Sequence, residues 1–401
     1  MTNNIELTGD DFLEDKYDRL RRITWWDQDR LKNATILVVG AGAIGNELIK
    51  NLALLGIGRL LIVDMDAIEN NNLTRSVLFR QKDVGRYKAE VAAERAMEMN
   101  PDIVAKAFTL NVIEDMGLGV FRRMTVVLGG LDNREARLAI NQACYRVNVP
   151  WVDGAIEVLN GFARVFMPPN GACYECTMTD TDWRLINNRK SCAMLTNSQM
   201  NEGKIPTTPT SSAIIAGVQV QEMLKILHHD RNLPNLSGKC FVFNGLTHDS
   251  YIVEYQSKPD CMSHDTYPIV EERAWSVRSM TLKELVDQIK REVGDAAVVD
   301  FDRDIASVAT CLCGEQKELY TPIHKLNARS VTCPSCGNTM NFSTFHSLDG
   351  TEDFLHKTLG EIGIPPLHIV CGRIGSQSRY FEFTADYDEI FAGLDMKGNI
   401  L

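Results

Sequence analysis

Cys173 and Cys176 stand three positions apart, as do Cys333 and Cys336, while Cys311 and Cys313 are separated by one leucine. Such pairs suit metal ligation, because two thiolates at this spacing can bind one ion and need two more ligands to complete a tetrahedron. "CLCG" and "TCPSCG" together supply Cys311, Cys313, Cys333 and Cys336, and each pair is followed by a glycine that fits the tight turns of a zinc ribbon. A closed four-thiolate site leaves no position for substrate, so zinc there is expected to be structural. A different chemistry is offered by Gly40, Gly42 and Gly45. Their G-x-G-x-x-G spacing follows the apolar run Ile36 to Val39 and precedes an apolar-periodic stretch from Asn46 to about Leu55. Glycines there let the backbone approach phosphate oxygens at a helix N-terminus, whose unpaired N–H groups favour anions. Asp64 lies about 20 residues further on, after the strand-like Leu60 to Val63, where a carboxylate can accept ribose hydroxyls. NAD binders and some ATP binders share this much.

The elements that must hold these residues follow from periodicity. "TILVVGA", "RLLIVD", "KAEVAAERAMEM", "TVVLGG", "REARLAINQACYRV" and "PWVDGAI" alternate strand-like with helical patterns, which predicts an α/β, doubly wound, mostly parallel sheet. Residues 1–34 are expected to be an N-terminal helical segment. Residues 35–268 form the nucleotide-binding domain, with residues 177–210 as a long polar crossing loop before an apolar helix from Ser212 to about Leu227. "FVFNGLTHDSYIVEYQSKPDC" predicts a hairpin. Residues 269–401 form a smaller α+β domain carrying the helix "TLKELVDQIKREV", the strands "AAVVDF", "LHIVCG" and "RYFEFTA", another helical segment near residues 351–361, and a cysteine-rich insertion at 309–338.

Composition sets the class. With 401 residues, 44% of them hydrophobic and 24% charged, the chain has material for two or three domains. A formal net charge of -11 argues against sequence-independent binding of nucleic acid. The acidic start lacks the layout of an export signal, and no apolar run approaches the roughly 20 residues of a membrane span. A cytoplasmic protein with reduced thiols and no membrane contact is expected, although it has 11 cysteines.

"DMDAIENNNLTRSVLFRQKDVGRYKAEVAAERAMEMNPDI" and "GLDNREARLAINQACYRVNVPWVDGAIEVLNGFARVFMPPNGACYEC" closely resemble the E1-like adenylating superfamily, which includes ubiquitin-activating enzymes and the activators ThiF and MoeB. The likeness runs from about Tyr17 to His264. It implies ATP as the nucleotide, and adenylation of the C-terminal carboxylate of a ubiquitin-like protein. Two anions must then meet, so cations are required. By the resemblance Arg75 and Lys88 face the triphosphate, Arg19 reaches across a homodimer, Asp132 holds Mg²⁺, Asp64 holds the ribose, and Asn72 matches the asparagine of N-L-x-R. Ser76 stands where relatives commonly carry glutamine. Taken alone, Asp132 and Asn133 could equally cap the helix that follows. The resemblance also completes the first metal set: a second cysteine pair follows the hairpin in the family, and "KPDCMSH" places Cys261 and His264 there, giving a Cys₃His zinc site with Cys173 and Cys176.

Cys144, Cys240 and Cys371 read as buried small hydrophobes. Cys192 differs, since Arg189 and Lys190 precede it in a polar stretch and nearby positive charge favours the thiolate. Its position resembles the cysteine that receives the modifier in thioester-forming relatives. "TLKELVDQI", "LGEIGIPPLHIVCGR" and "RYFEFTAD" look like the ubiquitin-fold domain that recruits an E2-like conjugating enzyme. The expectation is a compact, prokaryotic-type E1 that adenylates a ubiquitin-like protein and holds it on Cys192. The alternatives are a sulfur-carrier adenylyltransferase of the ThiF or MoeB type, a nicotinamide dehydrogenase, and a non-catalytic scaffold that binds a ubiquitin-like protein.

Overall fold

The computed structural model describes residues 15–192 and 206–396. Two short helices open it, α1 (Asp18–Arg21) and α2 (Gln28–Asn33), the latter capped by the Asp27 carboxylate on the N–H groups of Asp29 and Arg30. The apolar run forms β1 (Thr35–Val39), all five residues buried, and the glycine-rich turn after it feeds α3 (Ala43–Leu55). Gly56, at φ +76°, stops that helix in the left-handed conformation a glycine adopts at little cost. The alternation continues through β2 (Arg59–Val63), α4 (Lys88–Met99), β3 (Val104–Phe108), α5 (Leu118–Arg122), β4 (Val126–Gly129), α6 (Arg134–Arg146) and β5 (Trp151–Glu157). These strands stand in the order β3-β2-β1-β4-β5, all parallel.

The chain then turns back antiparallel in β6 (Asn160–Phe166) and runs through α7 (Tyr174–Thr177), α8 (Asp180–Cys192) and α9 (Pro209–Leu227). A hairpin, β7 (Lys239–Asn244) and β8 (Asp249–Glu254), completes an eight-stranded sheet. The pleat sorts its two faces. Ile36 and Val38 pack with residues of α3, α4 and α9, whereas Leu37 and Val39 pack with α5, α6 and segments from the C-terminal third.

That third contains β9 (Val270–Arg273), α10 (Leu282–Val293), β10 (Val298–Thr310), β11 (Gln316–Pro322), β12 (Asn341–Leu348), β13 (Ile369–Ile374), β14 (Gln377–Phe383) and α11 (Tyr387–Phe391). Its sheet runs β11-β10-β13-β14-β9, with β12 on the other edge of β10. α10 opens on a Thr281–Glu284 capping box and buries Leu282, Leu285, Val286 and Ile289, one stripe at helical spacing. The two sheets share a core: Leu367, Ile369, Phe391 and Leu394 sit among Leu37, Val39 and Phe121. The interface also carries charge. Arg122 and Arg123 pair with the fully buried Glu382, and Asp302 receives Arg146 at 3.1 Å and His368 at 3.0 Å.

Three sequence expectations change. Within the N-terminal helical segment, the described residues 15–34 form two separate helices with Trp25 and Trp26 between them. The polar stretch 177–210 is not all loop, because α8 occupies Asp180–Cys192 and α9 begins at Pro209. Residues 351–361 are turns, not a helix. The carbonyls of Leu355 and Lys357 accept from the N–H groups of Lys283 and Leu282, so this segment satisfies the open N-terminus of α10 rather than its own backbone.

Candidate adenylation site and metal centres

The glycine turn is built by contacts no side chain could share. A Cβ on Gly40, whose φ is +92°, would lie 2.6 Å from the Gly130 carbonyl oxygen, and one on Gly45 would lie 1.8 Å from that of Gly40. The turn is therefore wedged against the end of β4. Gly42 has open space where its Cβ would be, and it forms the N-cap of α3. That is the geometry of a backbone surface left free for a phosphate. Asp64 stands beside it, its carboxylate accepting from the N–H groups of Ala41 at 2.7 Å and Asp66 at 2.9 Å. Burial pushes the Asp64 carboxyl above its ordinary range, an effect only partly offset by the Lys88 ammonium and these N–H donors.

Lys88 begins α4 and pairs with Asp66 at 2.8 Å. Arg75, half-buried, donates from Nη1 to the Asn71 carbonyl at 2.9 Å. Asn72 is used within its own turn: its Oδ1 accepts from the Glu69 N–H at 2.9 Å in a capping box, and its Nδ2 donates to Asn71. Asn133, not Asp132, caps α6, accepting from the Ala136 N–H at 2.8 Å and leaving the Asp132 carboxylate exposed. The glycines, Asp64 and Asp132 thus gather at the C-terminal ends of β1, β2 and β4, where open α/β sheets bind ligands.

Arg19 lies elsewhere. Tyr17, two residues before it, packs under Gly56, where a Cβ would be 2.5 Å from the Tyr17 hydroxyl oxygen, and receives the Asn100 amide at 2.7 Å. Gly56 and Asn100 close α3 and α4, so Arg19 sits at the far end of the 13-residue α3, about 20 Å from Gly42. Cys192 is the last residue of α8, and its side chain, like those of Arg189 and Lys190, lies outside the described residues.

Sequence reasoning missed Asn46. It is fully buried in the first turn of α3, donating to the carbonyls of Ala41 at 2.7 Å and Gly42 at 3.0 Å and accepting from the Leu78 N–H at 2.9 Å. It ties the glycine turn to the segment that carries Arg75. The available signal was a lone amide opening an otherwise apolar helix face.

Both cysteine clusters assemble. In the first, Cys173 Sγ lies 3.7 Å from Cys176 Sγ and 3.5 Å from Cys261 Sγ, and Cys176 Sγ lies 3.4 Å from His264 Nε2. Burial lowers the pKa of His264, which keeps the ring in the neutral form that ligates. In the second, Cys311 and Cys336 are 3.4 Å apart and Cys313 and Cys333 3.6 Å. It sits at the end of the β10, β11 and β12 strands, with Gly314 and Gly337 at φ +92° and +75° in the two knuckles. Burial raises the Cys333 thiol, but hydrogen bonds from the N–H groups of Cys336 and Ser335 and from the thiols of Cys311 and Cys313 together outweigh it and bring it down to about 7. In each cluster the four ligand atoms lie within 4.8 Å of one another, so either could hold a metal ion. Cys144 and Cys240 are buried, and Cys371 is partly buried. Among the described residues no helix is long and apolar enough to cross a membrane.

The chain is similar to several known proteins. Ubiquitin-like modifier-activating enzyme 5 of Arabidopsis thaliana is 29% identical over 222 residues, 50% of this chain and 48% of that protein. The sulfur carrier protein adenylyltransferase of Thermus thermophilus is 36% identical over 154 residues, 37% of this chain and 57% of that one. The matched segment thus spans about half the length of these curated relatives. The crystal structure of Escherichia coli MccB with ATP matches with a TM-score of 0.52 at 24% identity, covering 63% of this chain and 74% of that one, a likeness of fold. The pattern of the ThiF family matches residues 14–263, and this chain therefore belongs to the ThiF family, within the E1-like adenylating superfamily.

Proposed function

We propose that this chain is an ATP-dependent E1-like enzyme that activates the C-terminus of a ubiquitin-like protein. The observation that carries the reading is the open Gly42 backbone at the N-terminus of α3, beside Asp64 and Lys88 and level with the exposed Asp132. A terminal carboxylate oxygen would attack the α-phosphorus of ATP, the bond to the β-phosphate would break, and pyrophosphate would leave. Lys88 and Arg75 would offset the charge gathered on the phosphates, and Asp132 would hold Mg²⁺. Asp64 would accept the ribose hydroxyls. That relatives include both modifier-activating enzymes and a sulfur carrier adenylyltransferase supports the shared first step.

In the second step the Cys192 thiolate would attack the acyl carbon, release AMP and hold the protein as a thioester for an E2-like partner. A sulfur-carrier adenylyltransferase that ends at the adenylate is the second reading, favoured by the Thermus thermophilus relative. Arg19, too far from the glycine turn of its own chain, would complete the site of a second copy in a homodimer. Zinc suits both clusters. Tetrahedral thiolates about 2.3 Å from one ion lie about 3.8 Å apart, close to the observed sulfur separations of 3.4 to 3.7 Å.

Exchange of labelled pyrophosphate into ATP, with a glycine-terminated β-grasp protein supplied, tests the reading. Wild type should exchange, and Cys192→Ala should exchange equally while losing a thiol-labile adduct. An adduct that survives Cys192→Ala refutes the thioester assignment, and a carrier thiocarboxylate in its place supports the second reading. Absence of exchange with every such carrier refutes adenylation.

A further inference from the structure

Behind the Asp132 corner lies a buried ionic chain that the proposed chemistry has not used. Asp153, at the position on β5 that pairs with Gly129 of β4, is fully buried. Its Oδ1 accepts from Arg137 Nε at 2.9 Å, and its Oδ2 accepts from Arg164 Nη2. Arg137 also donates from Nη2 to the Leu131 carbonyl at 2.5 Å and to the Gly154 carbonyl at 3.1 Å. One guanidinium therefore joins the first turns of α6, the middle of β5 and the residue immediately before Asp132. Arg164 is steadied in turn by the ring of Tyr174, 5.0 Å from its guanidinium carbon, within the Cys173–Cys176 knuckle.

Burying one carboxylate between two guanidinium groups is a costly way to fill space, since apolar side chains of similar volume often pack at least as stably. What the arrangement supplies is a fixed corner. On the opposite face Gln219 of α9 donates to the carbonyls of Gly129 at 2.9 Å and Val152 at 3.2 Å, so the end of β4 and the adjoining first half of β5 are pinned from both sides. Gly130, the next residue, is the one against which Gly40 and Gly45 close. The chain also leaves one positive charge in excess, two arginines against one aspartate, just behind the place where anions would gather.

We propose that Arg137 is a positioning residue: locked to Asp153 and to the Leu131 carbonyl, it holds the Leu131–Asp132 corner in register with the glycine turn for a magnesium–nucleotide complex. This rests on the adenylation reading above. A lysine keeps the charge but cannot make three hydrogen bonds to three separate acceptors in one plane, so the fork itself is the functional feature.

The test is a Mg²⁺ titration of the full chain with ATP, read as the ligand-induced rise in melting temperature, with direct Mn²⁺ binding followed by electron paramagnetic resonance. Arg137→Gln should raise the half-saturating Mg²⁺ concentration by about tenfold or more, as loss of a group that orients a metal ligand does. At saturating Mg²⁺ its affinity for ATP should stay within about threefold of wild type. Arg137→Lys should fall between the two, and it decides the matter by the same criteria if Arg137→Gln does not fold. In an Asp132→Asn background, where the ligand is already removed, Arg137→Gln should add nothing. An unchanged Mg²⁺ requirement in a folded Arg137 variant, or the same increment with and without Asp132, overturns the assignment while leaving adenylation standing. Wild type that gains no stability from ATP and Mg²⁺ together overturns the adenylation reading and this one with it.

Discussion

The Asn46 carboxamide oxygen accepts the Leu78 N–H at 2.9 Å while its nitrogen donates to the carbonyls of Ala41 and Gly42, joining the glycine turn to the strand of chain that carries Arg75. Asn46→Ala would leave the Leu78 N–H buried without an acceptor, a loss of about 1–3 kcal/mol. It would also let the turn and the arginine segment move independently. A lowered Tm together with a KM for ATP raised several-fold is expected in melting and pyrophosphate-exchange assays. Asn46→Ser, too short to span both partners, should recover only part of the loss.

Asp64 shows what a buried carboxylate costs the fold. Its pKa is raised chiefly by burial, so the ionised form is disfavoured in the folded chain. For a carboxyl raised on folding, the favourable contribution is fully present below the unfolded value of 3.8 and is lost as pH rises through the folded pKa. Asp64→Asn can accept only one of the Ala41 and Asp66 N–H groups, so the sign of its Tm change at a single pH depends on that loss too, but its Tm relative to wild type should rise as pH goes from about 4 to 7. The same variant should weaken ATP binding at pH 7. Paired melting curves across pH, with and without ATP, check both signs.

The sheet and its glycine turn were legible because both obey short-range rules. The helix "KAEVAAERAMEM" coincides with α4, and the apolar run 36–39 lies within the buried β1. The second cysteine cluster was legible for the same reason, spacing plus glycine, whereas in the first only the Cys173–Cys176 spacing is local, and Cys261, 85 residues after Cys176, needed the family pattern to find. What escaped is long-range. Residues 351–361 carry a Thr358–Glu361 side-chain pair that resembles a helix start, yet their carbonyls go to α10, an assignment only the tertiary fold makes. Arg137 and Asp153 looked like ordinary residues of a helix and a strand, since nothing local shows that they meet.

The two clusters should differ in what they support. Cys333→Ser should remove one metal equivalent per chain, measured by elemental analysis, and lower the Tm by roughly 5–10 °C, because the ends of β10, β11 and β12 lose their tie. Pyrophosphate exchange should persist. Cys176→Ser should also remove one equivalent, but here exchange should fall as well. The knuckle that Cys176 closes holds Tyr174 against Arg164, and Arg164 shares Asp153 with Arg137.

The distance between Arg19 and its own glycine turn makes the composite site testable. Arg19→Ala and Lys88→Ala should each abolish most pyrophosphate exchange. If Arg19 serves only its own chain, mixing the two inactive variants restores nothing. If it completes the site of a second copy, random pairing places both defects in one site of each heterodimer and leaves the other site intact. Equal mixing should then recover roughly a quarter of wild-type turnover. Dilution below the dimer dissociation constant should abolish the recovered activity, and sedimentation at the same concentrations should show the dimer disappearing in step with it.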